Sequence, residues 1–245
     1  MPRSFALPGL NQENNGGACC ETLGTGNGGV GRRGVIMRYP LEKGLSYGAL
    51  TLVVLAVFYS IYFAKAYAQK RRGIQTRQIG RRKEKSIHTV EVLMSIATLG
   101  APIAQLLSIA FGWSYLPADA RFVGFCTGML GDAIFLLSVL CMKDSWRAGI
   151  PDKDETELVT TGIYCFSRNP AFLGFDLMYV GVLLLYGNLL TLGFSLFAII
   201  MLHLQILQEE RFLTSTFGEP YREYCRRVCR YLGRRSVSLK PAILM

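Results

Sequence analysis

Between Phe172 and Leu207 the chain runs 36 residues without a lysine or arginine, and Asp176 is the only acid in the run. One helix of that length would measure about 54 Å, nearly twice the ~30 Å hydrocarbon core of a bilayer. The one weak break is Gly187-Asn188, so the run reads as a tight helical hairpin of two spans. Three more apolar blocks precede it: Tyr47 to Ala64, Val90 to Phe111 and Phe122 to Met142. Gly100-Ala101-Pro102 inside the second predicts a kink. The expectation is an all-α integral membrane protein of about five transmembrane helices.

Composition agrees. Apolar residues make up 51% and charged residues 18% of 245, with mean hydropathy +0.28. Charge is scarce for a soluble domain. A soluble enzyme, a disordered chain and a collagen-like chain are excluded. The net charge of +10 reads as positive loops on an anionic cytoplasmic leaflet, with no nucleic-acid partner. Lys65 to Lys85 holds nine basic residues and one acid, and the tail from Gln208 holds eight basic residues. Both belong inside. The loop GWSYLPADAR and the Gly187-Asn188 turn are nearly uncharged and fall outside. The N-terminus is therefore expected outside, the C-terminus inside, and the work at the cytoplasmic face.

Three regions follow. Residues 1–46 are Gly- and Asn-rich with no apolar period, a disordered or spurious leader that lacks the plan of a signal peptide. Met37 is a second expected start of translation. Residues 47–142 hold three spans and the basic loop; residues 143–245 hold the dense motifs. The seven cysteines read as free thiols. Cys225 and Cys229 share a helical face, but neither His88 nor His203 is near them in sequence, and no metal site is expected.

Ionisable groups in hydrocarbon are expensive and should face the bundle or water. Glu91 sits at a span end and reads as interfacial. Asp132 follows Gly128 and Gly131, small residues that allow close helix approach, and reads first as a packed contact. Asp176, shortly past the Asn169-Pro170 corner, is equally readable as structural or functional. No inverted repeat supports a transporter.

The densest stretch is 145–232. SWRAGI leads into an acidic loop, then LVTTGIYCFSRNPAFLG, Leu158 to Gly174. Asn169 before Pro170 is a helix-start signal. Glu209-Glu210 ends the hairpin, and FGEPYREYCRRVCRYLG follows. Phe217, Tyr221, Tyr224, Cys225, Val228, Tyr231 and Leu232 recur at three- to four-residue spacing, opposite Arg222, Arg226, Arg227 and Arg230. That predicts an amphipathic helix lying on an anionic surface.

Taken in order, the Gly-hydrophobic-Tyr loop, the Arg-Asn-Pro helix start, the hairpin, the Glu-Glu pair and Phe-Gly-x-x-Tyr-x-x-Tyr resemble the isoprenylcysteine carboxyl methyltransferase family. Phospholipid methyltransferases are its wider relatives. The resemblance covers Leu158 to Leu232. It implies a bacterial-type member in a bacterial cytoplasmic membrane, using S-adenosylmethionine on the cytoplasmic side. It implies that Glu157, Leu158 and Val159 run along the cofactor. Tyr164 matches the loop tyrosine, and Arg168, Asn169, Pro170, Ala171 and Phe172 match the Arg-His-Pro-x-Tyr segment. Glu209, with Glu210 beside it, matches the cofactor-contacting glutamate. The chemistry fits. Methyl transfer from a sulfonium needs alignment more than acid–base work. A carboxylate can hold an ammonium or ribose hydroxyls, and an aromatic face can meet a sulfonium.

Two departures mark the chain. Asn169 replaces the family's histidine and cannot titrate near neutrality. Gln205 stands where prenylcysteine methyltransferases carry an arginine, and an amide cannot form a bidentate charged pair with a carboxylate. Gln205 is thus the substrate-side candidate, the acceptor is expected to be a small lipophile other than a prenylcysteine carboxylate, and membrane lipids are expected as further partners. The alternatives are a nicotinamide-dependent membrane lipid reductase, whose 2′-phosphate the basic tail could hold, and a non-enzymatic scaffold or carrier.

Overall fold

The computed structural model describes residues 41–73, 85–145 and 157–235. The expectations for most of the leader, for Met37, for the basic loop's centre and for the acidic loop after Pro151 lie outside the described residues. Among the described residues six α-helices follow in chain order: α1 Leu41–Arg71, α2 Lys85–Ala110, α3 Ala118–Met142, α4 Pro170–Leu185, α5 Leu189–Phe217 and α6 Glu219–Arg227. Among the described residues there is no strand, only an isolated bridge between Val228 and Arg234.

Each apolar block of the sequence became a helix. Among the described residues four helices are long and apolar enough to cross a membrane: α1, α2, α3 and α5. The fifth, α4, is apolar but has 16 residues, about 24 Å of rise. Pro170 fixes its start and the Gly187-Asn188 turn its end, so it cannot lengthen. The other arm of the hairpin, α5, grows to 29 residues and carries Glu209 and Glu210 within the helix rather than beyond it. Pro102 is absorbed inside α2.

The hairpin turn is held by a reciprocal cap. Asn188 Oδ1 accepts from Thr191 N at 3.0 Å, and Thr191 Oγ1 accepts from Asn188 N at 2.9 Å. This satisfies donors that a helix start leaves open. Asn188 Nδ2 also donates to Trp113 O at 2.9 Å, and Tyr115 N donates to Gly187 O at 3.0 Å. The loop before α3 and the hairpin turn therefore share one end of the bundle, as the charge pattern requires.

Close packing of α3 on α4 builds the centre. A Cβ on Gly181 would lie 2.4 Å from Gly128 N, and one on Gly131 would lie 2.7 Å from Gly174 O. Only hydrogen fits between these backbones. Phe58, Phe135 and Phe175 cluster with ring centroids 4.5–5.2 Å apart, Phe58 stacked on Phe135 and Phe175 edge-on to both. Outward faces of α2 and α3 carry exposed Ile96, Leu99, Ile103, Phe122, Leu137 and Leu140, the pattern of lipid-facing helices. Asp132 is buried on α3 with neither carboxylate oxygen hydrogen-bonded.

The amphipathic C-terminal helix is shorter than its sequence pattern. It ends at Arg227, and Val228, Tyr231 and Leu232 lie beyond it. Its apolar residues Tyr221 and Tyr224, with Val228, pack on Leu158, Leu213 and Phe217. The face read as membrane-binding is thus turned onto the protein, because the end of α5 and the chain at Leu158 offer it a dry partner.

Candidate functional site

Opposite the hairpin turn, four segments converge: the chain from Glu157, the start of α4, the end of α5 and the residues after α6. Gly162, at φ +62°, opens a short 3-10 turn, Gly162–Cys165, that turns Tyr164 inward. The Tyr164 hydroxyl pairs with the Ser138 hydroxyl at 3.2 Å. Tyr224 OH donates to Tyr164 O at 2.7 Å, tying α6 to this turn. Burial pushes the Tyr164 phenol well above its usual range, against the Ser138 hydrogen bond, with Cys141 and the Glu209 carboxylate adding to it.

Asn169 and Pro170 begin α4 as expected, although the Asn169 side chain makes no cap bond. It points across to α5 instead. Its Nδ2 donates to Glu210 Oε1 at 3.3 Å and to Arg230 O at 3.2 Å. Glu210 is the hub. Arg168 Nη2 lies 3.2 Å from Oε1, Arg230 Nη2 lies 2.7 Å from Oε2, and Arg230 Nε is 3.1 Å from both oxygens. Arg168 also donates Nη1 to Cys225 Sγ, and its backbone N donates to Cys229 O at 3.1 Å. The Glu210 hydrogen bond raises the Arg230 pKa above its ordinary value, outweighing burial.

The two glutamates face different ways, as adjacent helical residues must. Glu209 accepts from Gln205 Nε2 at 3.2 Å on the side of Tyr164. Gln205 is 1% exposed, and its Oε1 has no hydrogen-bond partner. Glu210 lines an open cleft of about 480 Å³ together with Leu207, Arg211, Thr214, Arg222 and Arg230. Neither Glu209 nor Gln205 borders that cleft.

Of the residues singled out from sequence, Tyr164, Arg168, Asn169, Pro170, Glu209 and Glu210 come together at this end. Ala171 and Phe172 pack against the central core on α4. Leu158 packs under α6; Val159 is half-buried and Glu157 exposed. Sequence reading missed Arg230 as a site residue, having put it on the solvent face of a longer helix. It also missed His203 and Tyr231, whose Nδ1 and hydroxyl lie 2.6 Å apart. A carboxylate near a bilayer demands a cation, but that signal did not say which of the tail's arginines would answer.

Comparison with known proteins bears on the same region. Residues 122–220 match the family model described as phospholipid methyltransferase. The chain is 40% identical over 72 residues to a protein-S-isoprenylcysteine O-methyltransferase of Schizosaccharomyces pombe, covering 29% of this chain and 30% of that protein. It is 32% identical over 110 residues to a "Probable protein-S-isoprenylcysteine O-methyltransferase" of Oryza sativa subsp. indica, covering 44% of this chain and 58% of that protein. The matched stretches thus span less than two thirds of the length of these relatives.

Proposed function

We infer that this chain, similar over residues 122–220 to the phospholipid methyltransferase family model, is a member of the isoprenylcysteine carboxyl methyltransferase family, a membrane-embedded methyltransferase that uses S-adenosylmethionine and modifies a lipophilic acceptor at the cytoplasmic face. One observation carries the reading. The cleft beside Glu210 sets a carboxylate next to Arg230, Arg211 and Arg222 in about 480 Å³. That volume lies in the range of small-molecule sites, and the two signs of charge side by side suit a zwitterion.

The donor set supports the fit. Glu210 offers a carboxylate to an ammonium or to ribose hydroxyls. Arg211, which has no hydrogen bond or ion pair among the described residues, offers a cation to a carboxylate. Arg230, Arg168 and Asn169 hold Glu210 in one rotamer, so little ordering remains for binding to cost. When bound, S-adenosylmethionine supplies an electrophilic methyl group on a sulfonium. The acceptor would come from the bilayer along the hairpin, since α4 is too short to be sealed at both ends by polar chain. The basic tail and the loop from Lys65 favour the cytoplasmic side for this end.

The test is equilibrium dialysis of labelled S-adenosylmethionine against the purified protein in detergent, with a nicotinamide dinucleotide as competitor. Saturable binding that the dinucleotide does not displace is expected. Thr214→Trp, which fills the cleft from the α5 side, should weaken binding at least tenfold. Absence of binding, or displacement by the dinucleotide, would return the chain to the reductase reading.

A further inference from the structure

The hairpin holds a second polar group that the cofactor reading leaves unused. The Asn169–Glu210 hydrogen bond sets the register of two antiparallel helices. Seven residues further from that bond on each helix are Asp176 on α4 and His203 on α5. Seven residues are close to two full turns, so the two residues stand at matching depth, about 10 Å further into the bundle than that bond. Phe172 and Leu207 lie one turn down on the same two faces, between the Glu210 hub and this pair. Leu207 borders the cleft itself.

A third element meets His203. Tyr231, in the segment after α6, donates or accepts at His203 Nδ1 across 2.6 Å, and the two rings stack at 16°. Tyr231 also senses Asp176: after burial, the Asp176 carboxylate is the next cause that raises its phenol, against the lowering by Arg230. Asp176 Oδ1 is buried and has no hydrogen-bond partner. An acceptor oxygen left open at a membrane-depth site is costly unless a ligand's donor meets it.

We propose that Asp176 is the base of the methyl transfer, that His203 and Tyr231 position the substrate beside it, and that the natural acceptor therefore carries a hydroxyl or an amine on an apolar body. This rests on the methyltransferase reading above. In the reaction the acceptor oxygen or nitrogen bonds to the methyl carbon, the carbon–sulfur bond breaks with its electron pair on sulfur, and the acceptor's proton goes to Asp176 Oδ1. A carboxylate acceptor has no proton to give up at neutral pH. It would also bring a second negative charge beside Asp176, which a partly dry groove disfavours. Gln205, two residues from His203 and so on the far side of α5 from it, is not needed to explain that preference.

The experiment compares three probes of equal chain length, a dodecyl phenol, dodecylamine and dodecanoate, on the purified protein in nanodiscs. Affinity is measured by calorimetry and transfer by label from S-adenosylmethionine. The phenol or the amine should bind at least tenfold tighter than dodecanoate and should take up label. Asp176→Asn, which keeps the side chain's shape, should weaken that binding at least tenfold and cut labelling at least a hundredfold, with cofactor affinity unchanged. Tyr231→Phe should lower labelling less. If dodecanoate binds as well, if neither the phenol nor the amine is labelled, or if Asp176→Asn behaves like the parent, the proposal is overturned. Should Asp176→Asn fail to accumulate, the ranking of the three probes on the unmodified protein decides alone. Loss of cofactor binding by the unmodified protein would instead strike the underlying reading, and the probe affinities would still judge Asp176.

Discussion

Arg230 reaches back from beyond α6 to grip Glu210 near the end of α5, with Nη2 2.7 Å from Oε2 and Nε 3.1 Å from both carboxylate oxygens. Arg168 holds the same carboxylate from the other side at 3.2 Å. One acid thus binds the start of α4 to the chain's last described segment. The two arginines are not equivalent. The Arg168 side chain is 9% exposed and that of Arg230 is 36%.

Removing the hub should therefore cost more than removing its outer arm. Glu210→Gln leaves Arg168 buried without its counter-charge, and the expected loss is about 3 kcal/mol, at the low end for breaking a buried pair. Arg230→Ala leaves Glu210 still paired with Arg168 and should cost about 1 kcal/mol. Denaturant unfolding of both variants in detergent measures this. Equal, small losses would show that the cluster is held by something other than charge.

The ends of the bundle make a separate prediction. Trp113, Tyr115 and Asn188 join at one end, while Asn169, Glu210 and Arg230 join at the other. Single cysteines placed at Ala118 and at Gly73, in a variant lacking native thiols, should divide accordingly. An impermeant maleimide added outside should label the first and spare the second. The reverse pattern would invert the chain and move the cleft to the outer face.

At the α3–α4 contact, added volume meets backbone. Gly181→Ala puts a Cβ 2.4–2.5 Å from Gly128 N and Cα, which cannot swing away as a side-chain tip can. An overpacking loss of about 1–3 kcal/mol is expected. Gly193→Ala is the control, since nothing lies within 4 Å of its Cβ position. It should be neutral or slightly stabilising as a helix former. Midpoints of thermal unfolding should rank the parent with Gly193→Ala and set Gly181→Ala below both.

Alkaline pH should loosen the C-terminal seam. Burial raises the phenols of Tyr164, Tyr221 and Tyr224 above 10.0. The unfolded chain then ionises these groups first as pH rises. Their contribution to stability is complete below about pH 10 and is lost above it, towards their folded-state values. Unfolding free energy should be level in this respect to pH 9 and fall beyond pH 10. Tyr224→Phe, which has no proton to lose, should fall less steeply, although it forfeits the 2.7 Å bond to Tyr164 O. An identical slope in that variant would show that Tyr224 does not take part.

Much of this fold was legible because its signals are local. The run from Phe172 to Leu207 required two helices, and Gly187-Asn188 marked the break between them. Asn169-Pro170 marked the start of α4 for the same reason. The short α6 was not legible. Its three- to four-residue pattern continues past Arg227 to Leu232, yet the chain leaves the helix so that Arg230 can reach Glu210 and Tyr231 can reach His203. Helical period measures what a segment could bury alone, and it is blind to a better contact elsewhere.

Which segments are helical and apolar, where the hairpin turns and which end of the bundle gathers charge could all be read from the order of residues, since backbone propensity, capping and the cost of charge in hydrocarbon act within a few residues of one another. It took packing to settle that Arg230, among eight basic residues after Gln208, closes on Glu210, that Glu209 and Glu210 look onto different surroundings, and that Tyr231 meets His203. Charges and hydrogen-bonding groups select partners by distance through space, and those distances exist only once α4, α5 and the C-terminal segment have packed.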